Sequence, residues 1–198
     1  MKKLFLISII SLISCVLFAE PQQSKKQYQV VGVAFYNLEN LFDTINSNGS
    51  YDLEYSPAGA KKWDGRKYWS KIANMSYAIS QLATERTPGG PAIIGVSEIE
   101  NESVLKDLVK ADPIKKWMLQ VVHHDSPDRR GVDVALLYNP RYFRMLNVNN
   151  HRLKIEGYDS FRTRDQMCVT GILMGDTVSV IVNHWPSRMG GQAQSSYL

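Results

Sequence analysis

The order of short apolar runs along the chain is the feature that most constrains its fold. The run in "YQVVGVAFY" (28–36) precedes an amphipathic helical pattern, and the run in "PAIIGVSEIEN" (91–101) precedes a second one. The later runs, between residues 117 and 182, are strand-like and are separated by turn residues without a helical pattern. Alternating strands and helices followed by mostly antiparallel strands predict one α/β layered domain with a mixed sheet.

Two amphipathic helices are predicted between these strands. Apolar residues recur at steps of three and four in the first helix, at Trp69, Ile72, Met75, Ile79 and Leu82. We interpret this stripe as core packing, and "TPGG" (87–90) as the end of the helix. Asn101 is placed to cap the second helix, which ends near Pro113. Further on, Gly175-Asp176 is expected to close a hairpin between the last two strands.

The first residues have the pattern of a secretory signal. A basic start, an apolar stretch over 4–18 and the small residue Ala19 predict a cleaved signal peptide at 1–19, a polar leader at 20–27 and a domain at 28–198. The apolar stretch is shorter than the roughly 20 residues that a membrane helix needs. We therefore expect export to the periplasm or the medium. The alternative is a lipid anchor on Cys15, but the apolar stretch continues past that residue.

Charge and cysteine content add two further constraints. Because residues 1–19 hold two lysines and no acidic residue, cleavage lowers the formal net charge from +4 to +2. That excess is too small to indicate nucleic acid binding by bulk electrostatics. Cys168 would be the sole cysteine left, which excludes an intrachain disulfide, and its strand-like surroundings predict a buried thiol.

Polar clusters stand at the ends of three apolar strands, in "NLENLFD" (37–43), "EIEN" (98–101) and "NHWPSR" (183–188). Strand ends at one edge of a sheet are where ligand sites collect, so we expect these clusters to converge.

The residue types in these clusters suit metal-assisted cleavage of a phosphoester. Glu98 could hold Mg²⁺ with the amide oxygen of Asn37 nearby, since this ion needs only one or two protein carboxylates. His184 could donate to the phosphate or transfer a proton, and Arg188 could bind two phosphate oxygens. Taken singly, a strand-end glutamate such as Glu98 is more often a surface group, and a histidine such as His184 is more often a turn residue than a catalyst. The P-loop, H-E-x-x-H, C-x-x-C and G-x-S-x-G motifs do not occur, which argues against those enzyme classes.

Four ordered phrases, "FYNLENLFD", "IIGVSEIEN", "DRRGVDVALLYNP" and "VNHWPSR", resemble the endonuclease/exonuclease/phosphatase superfamily of DNase I-like phosphodiesterases, in a secreted bacterial branch. The resemblance implies a four-layer α/β/β/α sandwich with mixed, mostly antiparallel sheets. It also implies Mg²⁺- or Mn²⁺-dependent hydrolysis of phosphodiesters. Nucleic acid is the expected substrate of an exported endonuclease, and a phospholipid or a sugar phosphate is the alternative. No obligate protein partner is implied.

The resemblance also implies roles for individual residues. Asn37 and Glu98 match the family's metal-site residues, and His184 matches the histidine that contacts the scissile phosphate. Asn183 and Arg188 are assigned with it to substrate binding.

Five further residues fall on family motifs. Arg130 and Arg164 are either phosphate ligands or solvated strand residues, and both interpretations stay open. We interpret the carboxylates of Glu39, Glu100 and Asp133 as structural.

The sequence departs from the family pattern at its end. The family's Gly-Asp-Phe-Asn motif and closing Asp-His pair do not occur, so we expect the chain to be the N-terminal portion of the domain. Without those residues it should be inactive on its own, and unpaired strands should make it poorly stable. A non-catalytic fragment that binds phosphate or nucleic acid is the alternative function.

Overall fold

The structure is a computed structural model that describes residues 28–45, 52–157 and 160–186. The predicted signal peptide, Cys15 and Arg188 lie outside these residues. The described residues form seven strands and two α-helices, together with 3₁₀ turns at Asp52–Tyr55 and Lys115–Trp117. The strands are β1 (Val33–Leu41), β2 (Ile93–Ile99), β3 (Gln120–His123), β4 (Asp133–Tyr138), β5 (Phe143–His151), β6 (Gln166–Leu173) and β7 (Asp176–Val182), and the helices are α1 (Gly65–Ser80) and α2 (Glu102–Lys110).

The first sheet is mixed and has the strand order β1-β2-β4-β3. β1 runs parallel to β2, while β4 runs antiparallel to both β2 and β3. The carboxyl ends of β1 and β2 and the start of β4 therefore share one edge of the sheet. This edge carries two of the three predicted polar clusters.

Helix α1 covers one face of this sheet, with a different buried side from the one predicted. Its buried residues are Tyr68, Ile72, Ser76 and Ile79, whereas Trp69 is 55% exposed. The prediction was wrong at Trp69 because Tyr68, one residue earlier, turns toward the core and donates a hydrogen bond to Asp107 of α2 (2.7 Å). That contact fixes the rotation of α1 against α2.

The start of α2 agrees with its predicted cap. The side chain of Asn101 accepts a hydrogen bond from the backbone N–H of Val104 (3.2 Å) and donates one to Asp43 (3.0 Å). The strand predicted from Trp117 begins later, at Gln120, because Trp117 closes a 3₁₀ turn and Met118 has a left-handed backbone (φ 53°).

The second sheet is antiparallel, with the order β5-β6-β7. β6 and β7 form the predicted hairpin, but Leu173 pairs with Asp176, so Met174 and Gly175 form the turn. Both have positive φ (50° and 104°), as a tight two-residue turn requires.

The two sheets pack face to face around an apolar core contributed by Ile93, Val134, Leu136, Phe143, Met167, Val169 and Val182. A second core lies between the first sheet and the helices. The predicted α/β class with mixed, mostly antiparallel sheets is confirmed, and the described residues form a helix layer and two sheet layers. Cys168 was wrongly predicted to be buried. It is partly exposed because it pairs with Ile181, which is 58% exposed on the outer face of the second sheet.

Part of the inner face of the first sheet is uncovered by the described residues. Val33 and Phe35 are 63% and 55% exposed, although their partners in β2, Ile93 and Gly95, face the second sheet. Within the described part of the chain, β1 and β7 each pair along one side only. No helix among the described residues has the length and apolar character needed to cross a membrane.

Candidate functional site

Glu98 sits at an irregularity of β2 that redirects its side chain. Ser97 pairs with Val134 and Ile99 with Asp133, so Glu98 is skipped in the register. Its φ of 59° is left-handed, which costs a non-glycine residue about 1–3 kcal/mol; such residues occur in turns and also cluster at functional sites. The bulge brings Glu98 Oε1 to 3.7 Å from His184 Nε2 and 3.7 Å from Arg130 Nη2.

The end of β1 lies beside this carboxylate. Asn37 pairs with Ser97, one residue before Glu98, and its Oδ1 accepts a hydrogen bond from the backbone N–H of Glu39 (2.7 Å). Glu39 and Asn40 both have positive φ (52° and 60°), which allows β1 to continue past Asn37 to Leu41. Arg130 donates a hydrogen bond to Asn40 Oδ1. The strand predicted to end at Asn37 therefore turns its last residues toward Arg130.

Lys71 is a neighbour of the site that sequence reasoning missed. Its ammonium group donates to the backbone carbonyls of Glu39 and, at 3.4 Å, of Asn40. Burial lowers the pKa of Lys71, while the negative charges of Glu39 and Glu98 act in the opposite direction. Lys71 belongs to no motif and lies inside an amphipathic helix, so only the packing of α1 onto β1 reveals it.

His184 follows β7 and comes from the second sheet. Its backbone carbonyl accepts a hydrogen bond from Arg164 Nε (3.1 Å), and the carbonyl of Trp185 accepts one from Arg164 Nη2 (3.1 Å). Arg164 Nη1 donates to Asp128 Oδ2 (2.8 Å), and both side chains of this ion pair are buried. Arg164 thus contacts the backbone behind His184, and its role as a phosphate ligand stays untested.

Three buried polar atoms on residues next to Glu98 or His184 in the sequence, or on His184 itself, have no hydrogen-bond partner among the described residues. They are Ser97 Oγ, Asn183 Oδ1 and His184 Nδ1. Buried polar atoms are almost always paired, so such a group marks a place where water or a ligand belongs. The three residues adjoin Glu98 in β2 or follow β7.

Two of the three carboxylates interpreted as structural, Glu100 and Asp133, accept hydrogen bonds from backbone N–H groups, whereas Glu39 is exposed. Glu100 is 2% exposed, and its Oε2 accepts a hydrogen bond from the backbone N–H of Asp43 (2.7 Å). Asp133 accepts hydrogen bonds from the backbone N–H (2.9 Å) and the hydroxyl of Ser126. These contacts hold the loops beside the site.

Burial, followed by the positive charge of Arg164, lowers the pKa of His184 from its ordinary value of 6.5, and Glu98 opposes the shift. The unfolded chain therefore binds more protons than the folded one at pH values between the two pKa values. The stability contributed by neutral His184 is present above pH 6.5 and is lost as the pH falls through the folded-state pKa.

We expect an NMR titration of the His184 ring to have a midpoint below 6.5. Glu98→Gln should lower that midpoint further, because it removes the nearby negative charge. A midpoint at or above 6.5 in the unsubstituted chain would contradict this environment.

The structure brings together Glu98, His184 and Arg130, with Asn37 adjacent through its pairing with Ser97. Arg164 lies behind His184, and Asn183 precedes it along the chain. Arg188 lies outside the described residues. The arrangement offers carboxylate and amide oxygens for a hard cation next to a guanidinium and an imidazole.

Comparison with known proteins gives one family match. The model described as "Endonuclease/Exonuclease/phosphatase family" matches residues 32–197. It confirms the resemblance indicated by the four sequence motifs. No curated protein sequence matches the chain.

Several solved structures resemble parts of the chain, among them the following two. The human Nocturnin catalytic domain with bound sulfate anion is 20% identical over 50% of this chain, with a TM-score of 0.35. ANGEL2, a 2′,3′-cyclic phosphatase, is 13% identical over 76% of this chain, with a TM-score of 0.43. The chain covers 39% of the length of each, and the family match alone carries the assignment.

Proposed function

The chain belongs to the endonuclease/exonuclease/phosphatase family, whose members are hydrolases that act on phosphoesters, and from this premise we propose that it supplies the metal ligand and part of the phosphate site of an exported, divalent-metal-dependent phosphodiesterase. The observation that carries the proposal is the convergence of Arg130 and His184 on Glu98. Arg130 Nη2 and His184 Nε2 each lie 3.7 Å from Glu98 Oε1, although His184 follows a strand of the second sheet.

Members of the family typically depend on a divalent metal, and the residues around Glu98 fit such an ion. Its Oε1 lies 3.7 Å from both Arg130 Nη2 and His184 Nε2, beyond hydrogen-bond distance, so neither side chain forms a close contact with this oxygen. Together with Asn37, Glu98 offers hard oxygen ligands of the kind that Mg²⁺ and Mn²⁺ prefer. When bound, the ion polarises the phosphoryl oxygen and neutralises the charge on the leaving oxygen.

The remaining residues bind and orient the phosphate. Arg130 is 41% exposed and holds Asn40 with one nitrogen, so its guanidinium faces both the protein and the open side of the site. His184 is neutral near pH 7 because burial lowers its pKa, and an imidazole in that form can donate or accept one hydrogen bond. Asn183, the preceding residue in the chain, has a buried Oδ1 without a partner among the described residues.

We propose nucleic acid as the substrate, cleaved internally, with a phospholipid or sugar phosphate as the alternative. A substrate panel of plasmid DNA, RNA, sphingomyelin vesicles and a sugar phosphodiester, assayed with the protein purified from its native host, separates these classes. We expect cleavage of the nucleic acids with Mg²⁺ or Mn²⁺, and its loss with EDTA. Undiminished cleavage in EDTA, or binding of DNA without cleavage under every condition, would contradict the proposal.

A further inference from the structure

A histidine and two aspartates cluster at the end of the first sheet where β3 connects to β4. His123 is the last residue of β3, Asp133 is the first of β4, and Asp125 lies in the loop between them. His123 Nε2 is 3.1 Å from Asp133 Oδ2 and 3.9 Å from Asp125 Oδ1, and the three ligand atoms lie within 4.8 Å of one another. We propose that these residues form a second cation site, for a Zn²⁺-class ion, separate from the one at Glu98.

The donor set favours a borderline transition-metal ion. One imidazole nitrogen with two carboxylate oxygens suits Zn²⁺, whereas Mg²⁺ and Ca²⁺ prefer oxygen ligands alone. Bonds of about 2.0–2.2 Å place neighbouring ligand atoms roughly 3–3.5 Å apart, a range that includes the 3.1 Å separation of His123 and Asp133. Asp125 is 87% exposed and needs only a small side-chain movement to complete the set.

The two inner ligands are held in place before any ion arrives. The side chains of His123 and Asp133 are both 6% exposed, and the second oxygen of Asp133 is fixed by the backbone N–H and hydroxyl of Ser126. Such supporting hydrogen bonds orient ligands toward a metal. A cleft of about 490 Å³, lined in part by His123, Asp125 and Asn101, gives ions and water access.

This cluster and the Glu98 site lie on different sides of the first sheet. Val122 and Val134, the sequence neighbours of His123 and Asp133, pack into the core between the two sheets. Because side chains alternate along a strand, His123 and Asp133 point to the helix side. Glu98 is instead reached by His184 from the second sheet.

An ion here would act on the loop that carries two residues of the Glu98 site. Residues 124–132 connect β3 to β4 and include Arg130, which lies beside Glu98, and Asp128, which pairs with Arg164. Coordination by Asp125 would tie this loop to the ends of both strands. The ion is therefore expected to order the loop and to hold Arg130 in place.

The test is a calorimetric titration of the natural protein with Zn²⁺ alone, in a Glu98→Gln background that removes the first site. We expect one bound ion per chain and an increase in Tm with Zn²⁺ concentration. His123→Ala and Asp125→Asn should each weaken binding at least about tenfold. Asp125→Asn is the safer variant for the fold, because its side chain is exposed, whereas Asp133 also holds Ser126.

His124→Ala is the matched control, since this neighbouring histidine is half-exposed and lies 3.6 Å from Asp165, outside the cluster. It should leave the affinity for Zn²⁺ unchanged. The proposal is overturned if the chain binds no Zn²⁺, if neither His123→Ala nor Asp125→Asn weakens binding, or if His124→Ala weakens it equally. The contact between His123 and Asp133 would then be a hydrogen bond that closes the loop. Because Glu98 is absent from the assay, failure here leaves the proposed phosphodiesterase untouched.

Discussion

Glu98→Gln is expected to reduce the metal-dependent kcat of the natural protein by at least about 10³-fold, with little effect on folding. The substitution keeps the size of the side chain but removes the negative charge proposed to hold the cation. Metal stabilisation of a phosphoryl transition state is worth several kcal/mol, and about 4 kcal/mol corresponds to this factor. Steady-state cleavage of DNA at saturating Mn²⁺ measures it.

Glu102→Gln provides a matched control four residues along the chain. Its carboxylate is half-exposed, and its ion pair is with Lys106 in the next turn of α2. It should retain unsubstituted activity. Activity of Glu98→Gln within tenfold of the unsubstituted protein would show that the cation is held elsewhere.

Breaking the buried ion pair behind His184 is expected to have the largest effect on stability. Arg164→Ala leaves Asp128 as a buried carboxylate and removes the donors to the carbonyls of His184 and Trp185. Loss of one partner of a buried pair costs about 3–5 kcal/mol of unfolding free energy. For a domain of this size the decrease in Tm is roughly 6–20 °C. Chemical denaturation of the natural protein measures the free energy of unfolding.

The double variant Asp128→Leu/Arg164→Leu separates charge from packing. Replacing both partners by apolar residues should recover part of the stability, because no buried charge is then left unpaired. Lys106→Ala, which removes a surface ion pair, should have little effect. Arg164→Ala with unchanged unfolding free energy would mean that the pair does not support the backbone around His184.

The order of the elements was predictable because each apolar run and each cap acts locally. Asn101 as the N-cap of α2 and the β6–β7 hairpin follow from a few adjacent residues. The errors arise where tertiary packing decides. Trp69 has the spacing of a core residue, but the hydrogen bond from Tyr68 to Asp107 sets the buried face of α1. Cys168 follows an alternating pattern whose outer face is not covered by described residues.

The residues of the candidate site that lie in sequence motifs were predictable. Strand-end clusters point to Glu98, His184 and Asn37, and the parallel pairing of β1 with β2 brings two of those clusters together. Lys71 joins the site through helix packing, which leaves no motif. Asn40 lies within a quoted motif, but its contact with Arg130 depends on the left-handed backbone at Glu39 and Asn40, which the motif does not reveal. The burial of Arg164 could not be predicted either. An arginine beside a strand gives the same sequence pattern whether its side chain faces solvent or, as here, contacts the backbone of another segment.

The most direct test of a cation beside Glu98 is paramagnetic broadening by Mn²⁺. In the purified chain, Mn²⁺ bound at Glu98 would broaden the ring resonances of His184, whose Nε2 lies 3.7 Å from Glu98 Oε1. We predict selective broadening at low Mn²⁺, its loss in Glu98→Gln and its retention in Glu102→Gln. His184 resonances that remain sharp, or that broaden equally in Glu98→Gln, would contradict a metal site at this carboxylate.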